Sequence, residues 1–141
     1  QGYWMDPGRT TVVGTPSPEK KKLVEDCAGI VDAIVENIRP GVMVSEMTAL
    51  GRAMTQEAGG GDDVASMKWP IFGHGLGLFW EKPDLSETYA EFDMAFEANM
   101  TFGIEAFLSA EGVGSAGFEQ NIVVTETGAE LLTPAPMLWW D

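Results

Sequence analysis

Gly73-His74-Gly75-Leu76-Gly77 is the stretch on which the reading of this chain turns. His74 is the only histidine among 141 residues, and it stands between glycines rather than on the apolar face of a helix. Two later runs, Gly103-Ile104-Glu105 and Gly117-Phe118-Glu119-Gln120-Asn121, each set a carboxylate in a stretch that reads as strand or strand end. Asp6, in Gly2-Tyr3-Trp4-Met5-Asp6-Pro7-Gly8-Arg9-Thr10, completes a set of three oxygen donors and one nitrogen. That mixture suits Mn, Co, Fe or Zn in an oxygen-rich, bridged site and argues against a thiolate-closed structural zinc.

The surroundings of the two glutamates sharpen this reading. Glu105 follows Met100-Thr101-Phe102-Gly103-Ile104 and precedes Ala106-Phe107-Leu108, an otherwise apolar run. Glu119 stands between Phe118 and Ile122-Val123-Val124. An ionised carboxylate buried in such a strand costs several kcal/mol unless a cation or a proton accompanies it. Taken singly, each glutamate also fits a solvent-facing strand position, His74 a structural role among its glycines, and Asp6 a turn before Pro7.

Around these residues the chain reads as α+β. Tyr3 to Val13 is expected to form a strand, a turn at Pro7-Gly8 and a second strand. Ser17 is placed to cap a helix with Pro18 at its first position. Leu23, Val24, Cys27, Ile30, Val31, Ile34, Val35 and Ile38 then follow helical spacing as one buried face, which Arg39-Pro40-Gly41 ends. Ser45 is expected to cap a second helix running to about Ala58, with Met47, Leu50 and Met54 inward. Gly59-Gly60-Gly61-Asp62-Asp63 reads as a loop, its aspartates solvated rather than a calcium pair. Met100 to Leu108 and Phe118 to Thr125 are the best strands, and Glu130 to Thr133 returns to the sheet edge after a turn.

Composition bounds the partners. Hydrophobic residues make up 45% and charged ones 21%, a globular balance. Eight basic against 22 acidic residues give a formal charge of −14, which disfavours nucleic acid and anionic membrane surfaces. No apolar run approaches the roughly 20 residues that span a bilayer. Cys27 is alone, so no internal disulfide forms; it reads as a small buried hydrophobe, and a cytoplasmic setting is expected. The acidic residues of the first helix, Glu19, Glu25, Asp26, Asp32 and Glu36, read as its solvated face. Trp139-Trp140 is open between covering a sheet edge and meeting a second copy of the chain in a homodimer.

Taken in order, Gly-Tyr-x-x-Asp-x-x-Arg-Thr, Arg39-Pro40-Gly41, Gly-His-Gly-x-Gly-Leu, Ile-Glu, and a glutamate followed by Val-Val-Thr-Glu-x-Gly-x-Glu-x-Leu-Thr resemble the creatinase/prolidase/methionine aminopeptidase superfamily, the M24 peptidases. The matches run from Tyr3 to Thr133. Gly-His-Gly alone is weak; five pieces in order are specific. The resemblance implies the pita-bread fold, here in part, with two helices packed on a curved, mainly antiparallel sheet. It also implies a metal set in which Asp6 is the second aspartate, His74 the histidine, Glu105 the first glutamate and Glu119 the second, often bridging, one. The family's first aspartate is expected upstream of Gln1, so residues 1–141 read as the C-terminal portion of a single catalytic domain. Residues 1–141 by themselves are therefore not expected to hold the full two-metal centre, in which two divalent ions about 4 Å apart would polarise a carbonyl and activate water.

Several positions depart from the peptidase pattern. The peptidases carry a further histidine shortly after the metal histidine, and that place is held by Glu81, a carboxylate that repels a developing oxyanion. Ala106 stands where Pro is usual, and Gly117-Phe118 where an Arg is common. These departures are similar to the branch that cleaves dimethylsulfoniopropionate, whose acidic base falls where Trp80 stands here, with a glutamate following as Glu81 does; Gln120 also fits that branch. Phe79 and Trp80 offer an aromatic face to a substrate cation, or simply pack in the core.

The expected function is a metal-dependent hydrolase attacking an amide or related C–N bond of a small molecule or short peptide. Asp6, His74, Glu105 and Glu119 are its metal ligands, Glu81 its candidate base, and Phe79 and Trp80 its substrate contacts. A lyase on the same scaffold and a non-catalytic binding protein are the alternatives.

Overall fold

The computed structural model describes residues 2–59, 71–88 and 90–138. Asp62, Asp63, Trp139 and Trp140 therefore lie outside the described residues.

Helix α1, Pro18–Asn37, begins where Ser17 accepts a hydrogen bond from the Lys20 backbone N–H at 3.4 Å. Val24, Cys27, Ala28, Ile30, Val31 and Ile34 are buried along it, with Leu23 and Val35 partly buried at the margins of the face. Helix α2, Val44–Glu57, differs from expectation at its start: Met43 holds the cap position, and Ser45 lies within the first turn. The acceptor comes from elsewhere in the chain. The Asp93 carboxylate receives the Ser45 backbone N–H at 3.0 Å and its hydroxyl at 2.7 Å, satisfying an orphan donor that a local cap would otherwise take.

Among the described residues five strands follow: β1 Gly73–Leu76, β2 Trp80–Asp84, β3 Thr101–Ala110, β4 Gly114–Val124 and β5 Ala129–Leu131. They form one antiparallel sheet in the order β2-β1-β3-β4-β5. The β3–β4 ladder is unbroken from Thr101↔Val123 to Ala110↔Gly114. Alternation sends Phe102, Ile104, Ala106 and Leu108 of β3, with Ala116, Phe118, Ile122 and Val124 of β4, into the core, where α1 packs. Glu105, Glu119 and Asn121 are buried too, on the other face. Both faces are thus covered around these residues, while Phe107, further along β3 on that other face, stays exposed.

The expected hairpin over Tyr3–Val13 is absent. The segment instead runs along β4 and touches it in one bridge, Gly8↔Glu119, beyond the stretch where β5 pairs with Ile122–Val124. Pro7 has no N–H to give a ladder, and at the next position Thr10 uses its side chain, accepting from Gly117 N–H at 2.8 Å and bonding the Gly117 carbonyl at 2.9 Å. The apolar residues here, Tyr3, Met5 and Val13, remain exposed.

Candidate metal centre

Strand β1 is short and nearly all glycine around His74 because its neighbours approach closely. A Cβ on Gly75 would stand 2.7 Å from the Lys82 carbonyl oxygen, at the irregularity where the β1–β2 register jumps from Gly75↔Glu81 to His74↔Asp84. His74 is 1% exposed. Its Nδ1 lies 2.9 Å from the Gly75 carbonyl, which can only accept, so Nδ1 carries the proton and Nε2 keeps its lone pair. Nε2 points to Glu119 Oε1 at 3.7 Å, and neither atom has a hydrogen-bond partner among the described residues.

The register brings the acids to the same place. His74 pairs with Gly103 on β3, Gly103 with Asn121 on β4, and Glu105 stands directly opposite Glu119. Gly103 makes room for the Glu119 carboxylate beside His74: a Cβ there would collide with Glu119 Oε1 and lie 3.3 Å from His74 Nε2. Asp6 arrives on the N-terminal segment, which is fastened at several points. Trp4 N–H donates to the Gly77 carbonyl at 2.9 Å, Asp6 N–H to Asn121 Oδ1 at 2.8 Å, and Gly8 exchanges backbone bonds with Glu119. Arg9 ties the same region together through the carbonyls of Glu119, Ala135 and Pro136 and through Gln120 Oε1.

Asp6, His74 and Glu119 offer donor atoms that all lie within 4.8 Å of one another, and Glu105 adjoins them across the ladder. Burial, then the charges of Glu105 and Asp6, push the Glu119 carboxyl up to about 9, against a smaller opposing effect of Arg9. A buried imidazole nitrogen and clustered carboxylates within reach of one another suit a divalent cation.

The remaining sequence candidates are distributed differently. Trp80 lies flat on His74, ring centroids 3.8 Å apart and planes 15° apart. Strand alternation then sends Glu81 to the other side of β2, where it is exposed and its carboxylate lies over Gly77. The structure does not bring Glu81 to the cluster. Phe79 is 62% exposed and meets Trp4 edge-on at 5.2 Å, beside the segment that carries Asp6. Gln120 bonds Arg9 and Thr133.

Two residues of the site were missed from sequence. Asn121 was detectable: it is a polar side chain two positions beyond Glu119 in an apolar strand, hence on the same face. Asp84 gave no such signal; it is 3% exposed and accepts from Trp80 Nε1–H at 2.8 Å and Lys82 Nζ at 2.6 Å.

Comparison with known proteins bears on the same residues. The model of metallopeptidase family M24 matches residues 1–126. The Xaa-Pro dipeptidase of Pyrococcus furiosus is 30% identical over 93% of this chain and 36% of its own length. The crystal structure of dipeptidase PepE from Mycobacterium ulcerans superposes with a TM-score of 0.83 at 31% identity, covering 96% of this chain and 35% of that one. The prolidase from Pyrococcus furiosus gives 0.82 at 27% identity, over 96% and 38%. The two helices on a curled antiparallel sheet are thus the pita-bread fold of these proteins. The chain spans a little over a third of the length of the curated relatives it matches, 36% in the dipeptidase.

Proposed function

Because this chain belongs to metallopeptidase family M24, we propose that it acts as a metal-dependent hydrolase of short peptides, with a preference for bonds to proline. The observation that carries this is the buried His74 Nε2 lone pair, without a hydrogen-bond partner among the described residues and within 4.8 Å of donor oxygens of Asp6 and Glu119. Such a group is costly to bury unless a cation completes it.

Asp6, His74, Glu105 and Glu119 would hold divalent metal drawn from Mn, Co, Fe or Zn, as the larger part of a two-ion set whose remaining aspartate is expected upstream of Gln1. When bound, they supply Lewis-acid polarisation of the scissile carbonyl and a more acidic water. The protein's own part is to fix the ligands. The Gly75 carbonyl sets the His74 tautomer, Asn121 and the Gly8–Glu119 bridge hold Asp6 in place, and Gly103 gives the Glu119 carboxylate room beside His74. Phe79, with Trp4 against it, forms an exposed aromatic wall for an apolar substrate side chain.

With Glu81 on the far side of β2, the general base is drawn from the carboxylates of the cluster itself. The lyase alternative needs an acid beside the ligands at the Trp80–Glu81 corner, and Trp80 occupies that corner with an indole. Among the described residues no helix is long and apolar enough to cross a membrane. A cytoplasmic setting, with the lone Cys27 reduced, and a homodimer complete the proposal.

The test is turnover of an Xaa-Pro dipeptide by Mn²⁺- or Co²⁺-loaded protein beside its Glu119→Ala variant. Loss of metal and activity together supports the reading. Activity that survives with metal stoichiometry unchanged overturns it.

A further inference from the structure

His74 is anchored in its own plane by one bond, Nδ1–H to the Gly75 carbonyl. A single in-plane bond fixes the tautomer but leaves the ring able to tilt about that axis, which would swing Nε2 off the cluster. The stacked Trp80 indole removes that freedom on one side, at 3.8 Å and 15°. Trp80 is in turn held: its Nε1–H reaches the buried Asp84 carboxylate at 2.8 Å, whose second oxygen takes Lys82 at 2.6 Å. The register makes this arrangement possible, since His74↔Asp84 and Leu76↔Trp80 are cross-strand neighbours on either side of the β1–β2 irregularity.

We infer that Trp80 and Asp84 are positioning residues for His74, forming an indole backstop that aims Nε2 at the bound cation. The inference rests on the reading of His74 as a metal ligand. Charge favours the same arrangement. An imidazole that donates its lone pair to a cation gains positive character, and an indole whose N–H is bonded to a carboxylate presents a more electron-rich face to it. Trp80 therefore binds the metal-loaded imidazole better than the free one, and the stack tightens the site as well as orienting it. Outer partners of this kind typically change metal affinity by about 10- to 100-fold when removed.

Two readouts on the unaltered protein and the variants Trp80→Ala, Trp80→Phe and Asp84→Ala test this. In the metal-free protein, the His74 ring protons should be shifted upfield by the indole ring current. The shift should be lost in Trp80→Ala, reduced in Asp84→Ala and partly kept in Trp80→Phe. In calorimetric titration with Mn²⁺ alone, Trp80→Ala should bind roughly tenfold more weakly, with Trp80→Phe restoring most of the affinity. If Trp80→Ala fails to fold, Asp84→Ala and Trp80→Phe still carry both readouts. Unshifted His74 protons in the unaltered protein, or variants that bind Mn²⁺ as tightly as it does, overturn the inference. Failure of the unaltered protein to bind Mn²⁺ overturns the metal centre itself, and the backstop with it.

Discussion

Glu105 and Glu119 face each other directly across β3 and β4, and both are buried, 4% and 7% exposed. Like charges set opposite one another on adjacent strands repel, and burial removes the water that would screen them. Glu119 is accordingly pushed up to about 9, by burial first and then by Glu105 and Asp6. Around neutral pH, without a cation, it holds a proton.

A pH dependence follows, with a definite sign. Glu119 starts from an ordinary value of 4.5 and is raised to about 9 in the folded chain. Between those values the native state binds more protons than the unfolded one, so this group's contribution to stability falls as pH rises through that window. Thermal melts of the metal-free protein in EDTA should show a declining Tm from about pH 5 to pH 9. Metal should bind more tightly over the same rise and release a proton on binding, measured by calorimetry in buffers of different ionisation enthalpy.

Replacing Glu119 with Gln removes the cost of holding a carboxyl protonated there and keeps the shape. Metal-free Glu119→Gln should be more stable than the unaltered protein at pH 8, by about 1–3 kcal/mol in urea unfolding, while losing metal binding. Equal or lower stability would show that the Glu119 carboxyl is not strained toward its protonated form.

Gly103→Ala should fail for a steric reason. The added methyl would strike the Glu119 carboxylate and stand 3.3 Å from His74 Nε2, displacing two of the proposed ligands. Metal binding should drop sharply, at a stability cost of about 1–3 kcal/mol. Metal titration and urea melts of this one variant read both effects.

Cys27 should be inert in the native protein. Its thiol is fully buried and pushed up to about 12, chiefly by burial, with its Sγ 3.3 Å from the Ala106 carbonyl. A chromogenic disulfide reagent should find no thiol until denaturant is added. Rapid labelling under native conditions would contradict the packing of α1 on β3 and β4.

The helices and long strands were legible because their periodicities are local. The Leu23–Ile38 stripe needs only 3.6-residue spacing, and Ser17 with Pro18 marks its start. Ser45 misled because a cap can be supplied from 48 residues away, as Asp93 does here. The Tyr3–Val13 strands misled because β-forming residues form ladders only where a partner edge is free, and Thr10's side chain takes the position a backbone pair would need. Asp6, His74, Glu105 and Glu119 could be picked out by residue type and order. The side of β2 on which Glu81 lies could not, since it depends on the register jump beside His74, and a shift of one residue exchanges the faces of a strand. Asp84 was invisible for the same reason: its role exists only once Trp80 is laid against His74.

The most direct test is anomalous diffraction from a crystal of the protein grown or soaked with Mn²⁺. The cation should lie among the Asp6, Glu105 and Glu119 carboxylates with His74 Nε2 as its nitrogen ligand. Anomalous density elsewhere, with His74 Nε2 bonded to a protein group instead, would contradict the metal centre.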